Sequence, residues 1–178
     1  MKKIISIFLL VFVSWSCSSN LDFNQTNDLI LTPIEVLNLT YFDVPASQFV
    51  TSGGETKTAF ATLKFDAFND SFFRDNLVRT DFFFEVTNTI NRAYIVDFIF
   101  YNETNQPIYT ISFNIPASNG TPQVITKTEI FKDANLDLLK QAKKEGIGVE
   151  MLPGTPLTEN SPGNLKLRSS ANVYMEIK

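Results

Sequence analysis

The sequence predicts an all-β fold of two antiparallel sheets packed face to face. Apolar and polar residues alternate with period two over several stretches, and those stretches are rich in β-branched and aromatic residues. Asn, Gly and Pro clusters separate them at fairly regular intervals. At 178 residues the chain is long enough for one domain with a real core.

Residues 1–16 read as a removable leader. Met1-Lys2-Lys3 is a basic start, and Ile4 to Val13 is apolar apart from Ser6. That run is too short to span a bilayer, which takes ~20 residues, and it suits the core of a signal peptide. Ser14-Trp15-Ser16-Cys17 comes next. A small residue just before a Cys, at the end of such a core, resembles the lipobox of bacterial lipoproteins. The resemblance implies cleavage before Cys17, palmitate-type acylation of its sulfur and acylation of the new amine. Ser16 matches the small position, whereas Ser14 stands where the family has an aliphatic residue. Two or three acyl chains anchor stably, since each buried CH₂ contributes ~0.8 kcal/mol.

The MKK start, the Ser-rich cleavage site and a body rich in Asn, Phe and Ile also resemble small uncharacterised outer-membrane lipoproteins of the Bacteroidota. Surface-exported members of that group carry a run of acids after the Cys. Here Ser18-Ser19-Asn20-Leu21-Asp22 holds a single acid, which implies a periplasm-facing protein. Ser18, rather than Asp, as the second mature residue implies the outer membrane.

Residues 17–28 form a polar tether behind the lipidated Cys, and 29–178 form the domain. Strands are expected over 33–44, 57–66, 80–88, 92–101, 107–115, 123–131, 147–152 and 165–177. The last is the clearest. Leu165, Leu167, Ser169, Ala171, Val173, Met175 and Ile177 share one face, and Lys166, Arg168, Asn172 and Glu176 the other. Ser161-Pro162-Gly163-Asn164 is the turn that starts it. Strands 92–101 and 107–115 read as a hairpin around 102–106. Both faces of 92–101 are apolar, so a helix or loop is expected over the face away from the core, the alternative being a partner protein or an apolar ligand. Gly53-Gly54 and Gly146-Ile147-Gly148 read as turn glycines. Two short helices are expected, about 69–78 and 134–145. The second would be capped by Asp133, ended by Gly146, and buried through Ala134, Leu138, Leu139 and Ala142. Seven to eight strands with such turns favour an immunoglobulin-like sandwich over a closed barrel.

Composition excludes much chemistry. The chain has no His, and its single Cys is Cys17. That removes a His general base, a Cys/His zinc site and a disulfide framework. Net charge is −4 and becomes more negative once Lys2 and Lys3 leave, so nucleic acid is not an expected partner. Asp66, Asn69, Asp70, Asp75 and Asp81 form the densest acidic stretch. Phe68 occupies a ligand position and no Gly follows, so it reads as a helix cap with solvated charges rather than a calcium loop. No cofactor and no catalytic residue is expected.

Phe is abundant, at 17 residues. Phe82 and Phe84 should enter the core and Phe83 should point away. Phe72 and Phe73 are adjacent in the short helix and cannot both point inward. Phe72, Phe73 and Phe83 are therefore the candidate interface. The expected function is non-enzymatic: an outer-membrane lipoprotein, held to the membrane by its lipid, that docks as an accessory or scaffolding subunit on another envelope protein. Outer-membrane protein assembly or secretion machinery is one such setting. The alternative is a periplasmic carrier of an apolar ligand such as lipid. A closed Phe-lined pocket would favour the carrier, and a filled core with exposed aromatics the docking module.

Overall fold

A computed structural model describes residues 29–65 and 70–178. The leader, Cys17 and the tether lie outside the described residues, as do Asp66 to Asn69. The fold is that of the body, Thr32–Ile177.

The strands of the body are β1 (Ile34–Pro45), β2 (Val50–Thr51), β3 (Gly54–Glu55), β4 (Thr58–Lys64), β5 (Leu77–Asn88), β6 (Tyr94–Tyr101), β7 (Pro107–Ile115), β8 (Gln123–Phe131), β9 (Lys144–Met151) and β10 (Asn164–Met175). Helix α1 is Ser71–Asn76 and α2 is Ala134–Lys140. One sheet has the order β1-β10-β5-β8, the other β4-β9-β6-β7, and every pairing is antiparallel. Among these eight strands, every connection but the β6–β7 hairpin crosses from one sheet to the other. That is the winding of a jelly-roll sandwich, four strands on four, where an immunoglobulin constant-type domain has four on three. Strand pattern shows that two sheets form; the order within them is set by long-range pairing, such as Ile34 with Tyr174, which no local signal carries.

Period-two alternation fills the core. β5 contributes Phe82, Phe84 and Val86, β6 contributes Tyr94, Val96, Phe98 and Phe100, and β10 contributes Leu165, Leu167, Ala171 and Val173, all essentially unexposed. Phe82, Phe100 and Phe131 meet at ring-centroid distances of 5.3 to 5.9 Å in tilted or edge arrangements, as ring quadrupoles prefer. The filled aromatic centre answers the high Phe content.

Several expectations are corrected. Helix α2 stops at Lys140, not 145, and Asp133 makes no side-chain cap at φ 53°. Lys143 N–H donates to the Tyr101 carbonyl at 2.8 Å, and Lys144 pairs with Tyr101, so the sheet takes the chain before the helix can continue. The face buried by α2 is Leu136 and Leu139; Ala134 is exposed and Leu138 half-buried. Gly146 and Gly148 lie in the middle of β9, not in a turn. A Cβ at Gly146 would meet the rings of Tyr101 and Phe60 at 2.8 and 2.9 Å, so the glycine makes room for aromatics crossing from the neighbouring strands. This also revises the cover expected over β6. Helix α2 packs on β5, β7 and β8. The outer residues Ile95, Ile99 and Tyr101 are half-buried, with Phe60 edge-on to Tyr101 at 6.5 Å. Helix α1 is shorter than 69–78, because Leu77 already opens β5. Asp70 caps it, accepting from Phe72 N–H at 2.7 Å.

Candidate functional site

The outer face of the β1-β10-β5-β8 sheet carries the residue that strand parity singles out. Phe84 is 0% exposed on the core side, while Phe83 is 41% exposed on the other. Register fixes its neighbours: Phe83 lies between Ser170 of β10 and Thr128 of β8. One step along the strands sit Asn172, Asp81 and Ile130; one step the other way sit Arg168, Glu85 and Thr126.

The charges around it are held in pairs. Arg79 is bidentate to Asp81 at 2.7 and 2.8 Å. Arg168 meets Glu85 at 2.7 Å and Lys166 meets Asp43 at 2.9 Å. Hydrogen bonds from Lys166 and Asn164 hold the Asp43 carboxyl below its usual range. The Glu85 hydrogen bond raises Arg168. Phe83 is thus an apolar projection among ion pairs that already satisfy one another, with exposed Val36 toward one rim and exposed Ile130 and Val124 toward the other.

Phe72 is also exposed, edge-on to Phe73 at 6.2 Å, and Phe73 is half-buried against the core. Phe83 stands six residues along β5 from Leu77, which follows α1 directly, about 20 Å at 3.3 Å per residue. Strand direction therefore sets the helix aromatics apart from Phe83.

A second feature is an apolar cleft between the β1 and β4 rims, about 280 Å³, lined by Phe42, Val44, Ala59, Ala61, Leu63 and Ile147 among others. Beside it a β-bulge sets Leu39 and Thr40 against the single Ser169. Ser169 Oγ accepts from Thr40 N–H at 3.0 Å and donates to the Thr40 carbonyl at 2.9 Å. Thr40 Oγ1 donates to Glu145 Oε1 at 2.7 Å, and Glu145 Oε2 has no partner among the described residues. Burial raises the Glu145 pKa, partly offset by the Thr40 hydrogen bond. Sequence reasoning missed this acid, because its expected place was the end of a helix. A third polar tie, equally silent in sequence, joins Arg92 to Glu55 at 2.9 Å, and Glu55 also accepts from Leu157 N–H at 2.7 Å.

No family model matches the chain. No curated protein matches it either. Solved structures overlap it only loosely. A structure of infectious bursal disease virus Gt strain aligns at 10% identity and a TM-score of 0.47 over 80% of this chain, which spans 32% of that one. A protein of Parabacteroides distasonis ATCC 8503 ascribed to the secreted class aligns at 12% identity and 0.43, covering 65% of this chain and 38% of its own. The enzymatically active domain of bacteriophage CBA120 tailspike protein 4 aligns at 10% identity and 0.37, covering 82% and 19%. At these scores the likeness carries no functional argument.

Of the acidic stretch, Asp70 and Asp81 have ordinary structural work. Asp70 caps α1, and Asp81 accepts from Arg79 and, at 3.3 Å, from Tyr174. Among the described residues no group of three or more acids, His or Cys is placed to hold a metal. Among them, too, no helix is long and apolar enough to cross a membrane.

Proposed function

We propose that this chain is a non-enzymatic lipoprotein of the outer membrane, anchored through Cys17 and facing the periplasm. Its sandwich acts as an accessory or scaffolding subunit that docks on another envelope protein, with outer-membrane protein assembly or secretion machinery as the class of complex. The observation behind the docking surface is Phe83: a large aromatic projecting from the middle of a four-stranded sheet face, ringed by self-satisfied polar pairs. An aromatic anchor with a polar surround is the anatomy of an interface hot spot. The anchor rests on the lipobox-like Ser16-Cys17.

Two experiments test this. Cys17→Ser should leave precursor or a soluble periplasmic product; a variant that still resists carbonate washing with the membrane overturns the anchor. A photo-reactive residue at position 83 should cross-link one discrete envelope protein in cells, while one at Glu103, in the β6–β7 turn, should not. Phe83→Ala should lose that partner and cost under about 1 kcal/mol, as surface changes do, against ~3–5 kcal/mol for Phe84→Ala in the core. Strong destabilisation by Phe83→Ala, or identical cross-links from 83 and 103, overturns the docking face.

The carrier reading draws on the rim cleft. Its apolar lining suits a hydrocarbon, but the cleft is open and its ~280 Å³ falls short of the ~300–1,000 Å³ of ligand pockets. Lipid co-purifying at one mole per mole of protein would favour it over docking.

A further inference from the structure

Sheet edges are hazards that folds normally blunt with charge, proline or bulges. Three of the four outer strands here are blunted. On β8, Lys127 and Glu129 lie on the core side; Tyr109 of β7 donates to Glu129, and Lys127 sits 5.8 Å from the Phe113 ring centre, so the β7 and β8 rims are tied together. β1 has the Thr40 bulge and ends at Pro45. β4 has none of these devices. Its seven residues, Thr-Ala-Phe-Ala-Thr-Leu-Lys, contain no proline and no bulge, carry no charge before Lys64, and are all exposed. Among the described residues β4 pairs with β9 alone.

We propose that a second copy of this chain pairs on β4, antiparallel about a two-fold axis at Ala61, joining the two four-stranded sheets into one of eight. Three features of the strand fit this register. On the core side, Ala59 of each copy faces Leu63 of the other and Ala61 faces Ala61. The small residues that leave the rim cleft open thus receive the second copy's Leu63. On the outer side, Phe60 faces Thr62, so a large ring again meets a small residue. Charge fits as well. Lys64 now sits across from Lys144 on β9, a like-charge neighbour, and makes no ion pair among the described residues. In the paired form each Lys64 faces the other copy's Thr58. The β9 partner of Thr58 is Glu150, exposed and also without an ion pair among the described residues. Two symmetric Lys64–Glu150 pairs result. Moving the axis to Phe60 or Thr62 carries Lys64 two residues, ~7 Å, from that match. This surface is separate from the Phe83 face, which stays free for another partner.

The test uses the full chain extracted in mild detergent. Sedimentation should give a protein mass of two chains. Residues directly opposite in an antiparallel pair have Cα atoms ~4.5–5.5 Å apart, within disulfide range, so Ala61→Cys should form a covalent dimer on mild oxidation. Ala59→Cys, with the same number of thiols, should not, because its opposite residue is Leu63. Ala61→Lys, which sets two like charges face to face at an exposed position, should sediment as one chain that still melts cooperatively, at a temperature that no longer depends on protein concentration. A single-chain native mass overturns the proposal. So does a dimer that cross-links equally through Ala59→Cys, or one that survives Ala61→Lys. Backbone-amide protection of β4 in a single-chain protein would show instead that another segment of the chain covers the edge.

Discussion

Glu145 is a buried acid whose charge burial disfavours. One oxygen accepts from Thr40 and the other has no partner among the described residues. Its pKa is raised in the folded chain, so between its ordinary value near 4.5 and the folded value the native state binds more protons than the unfolded one. Its contribution to stability is therefore complete below pH 4.5 and is lost as pH rises through the folded pKa. Glu145→Gln keeps the size and the Thr40 bond and removes the charge. It should raise the melting temperature at pH 7 and flatten the decline between mildly acid and neutral pH; thermal melts over that range check both. Arg92 is the opposite case, a buried cation that is paired. Glu55→Ala would leave its charge with the Thr155 carbonyl but no carboxylate, and urea unfolding should show a loss of ~3 kcal/mol. Neither residue could be found in the sequence. A buried acid and a buried ion pair are each made by segments far apart in the chain, and nothing local marks Glu145 or Arg92 among other charges. Phe83 was legible, because strand parity alone sends it opposite to Phe82 and Phe84.

At the scale of elements, the strands were legible where side-chain alternation is strict. The span of β8 is as expected, and β10 begins at the Ser161–Asn164 turn. What failed was the join between α2 and β9. Gln141 to Glu145 has good helix formers followed by glycine, the usual signature of a helix end, and a pairing to Tyr101 overrides it. Local propensity is worth tenths of a kcal/mol per residue, less than a strand's worth of ladder bonds. Gly163 is the reverse, a turn glycine read correctly. It has φ 100°, its carbonyl accepts from Ala46 N–H at 2.9 Å, and a Cβ there would lie 2.4 Å from the Thr89 carbonyl oxygen. The obstacle is backbone and cannot swing aside. Gly163→Ala should cost at least ~2 kcal/mol, through forced φ and displaced backbone together. By contrast Gly146→Ala meets only the ends of aromatic rings, one of them the exposed Phe60, and should cost less. Paired denaturation curves would rank the two.

The whole molecule depends on its sheet order. β10 is the last of the eight main strands in chain order, yet it lies inside its sheet, between β1 and β5. Until β10 is present, β1 has no partner in that sheet and cannot be joined to the β5–β8 half. A nascent or translocating chain therefore cannot complete that sheet early; β1 must wait, unpaired, while well over a hundred further residues emerge. Chains truncated before Asn164 should stay protease-sensitive and show no cooperative melt, whereas extending them through Met175 should restore both in one step rather than by degrees. Under the export proposed above, such late closure would keep the chain an open thread until its last strand is through.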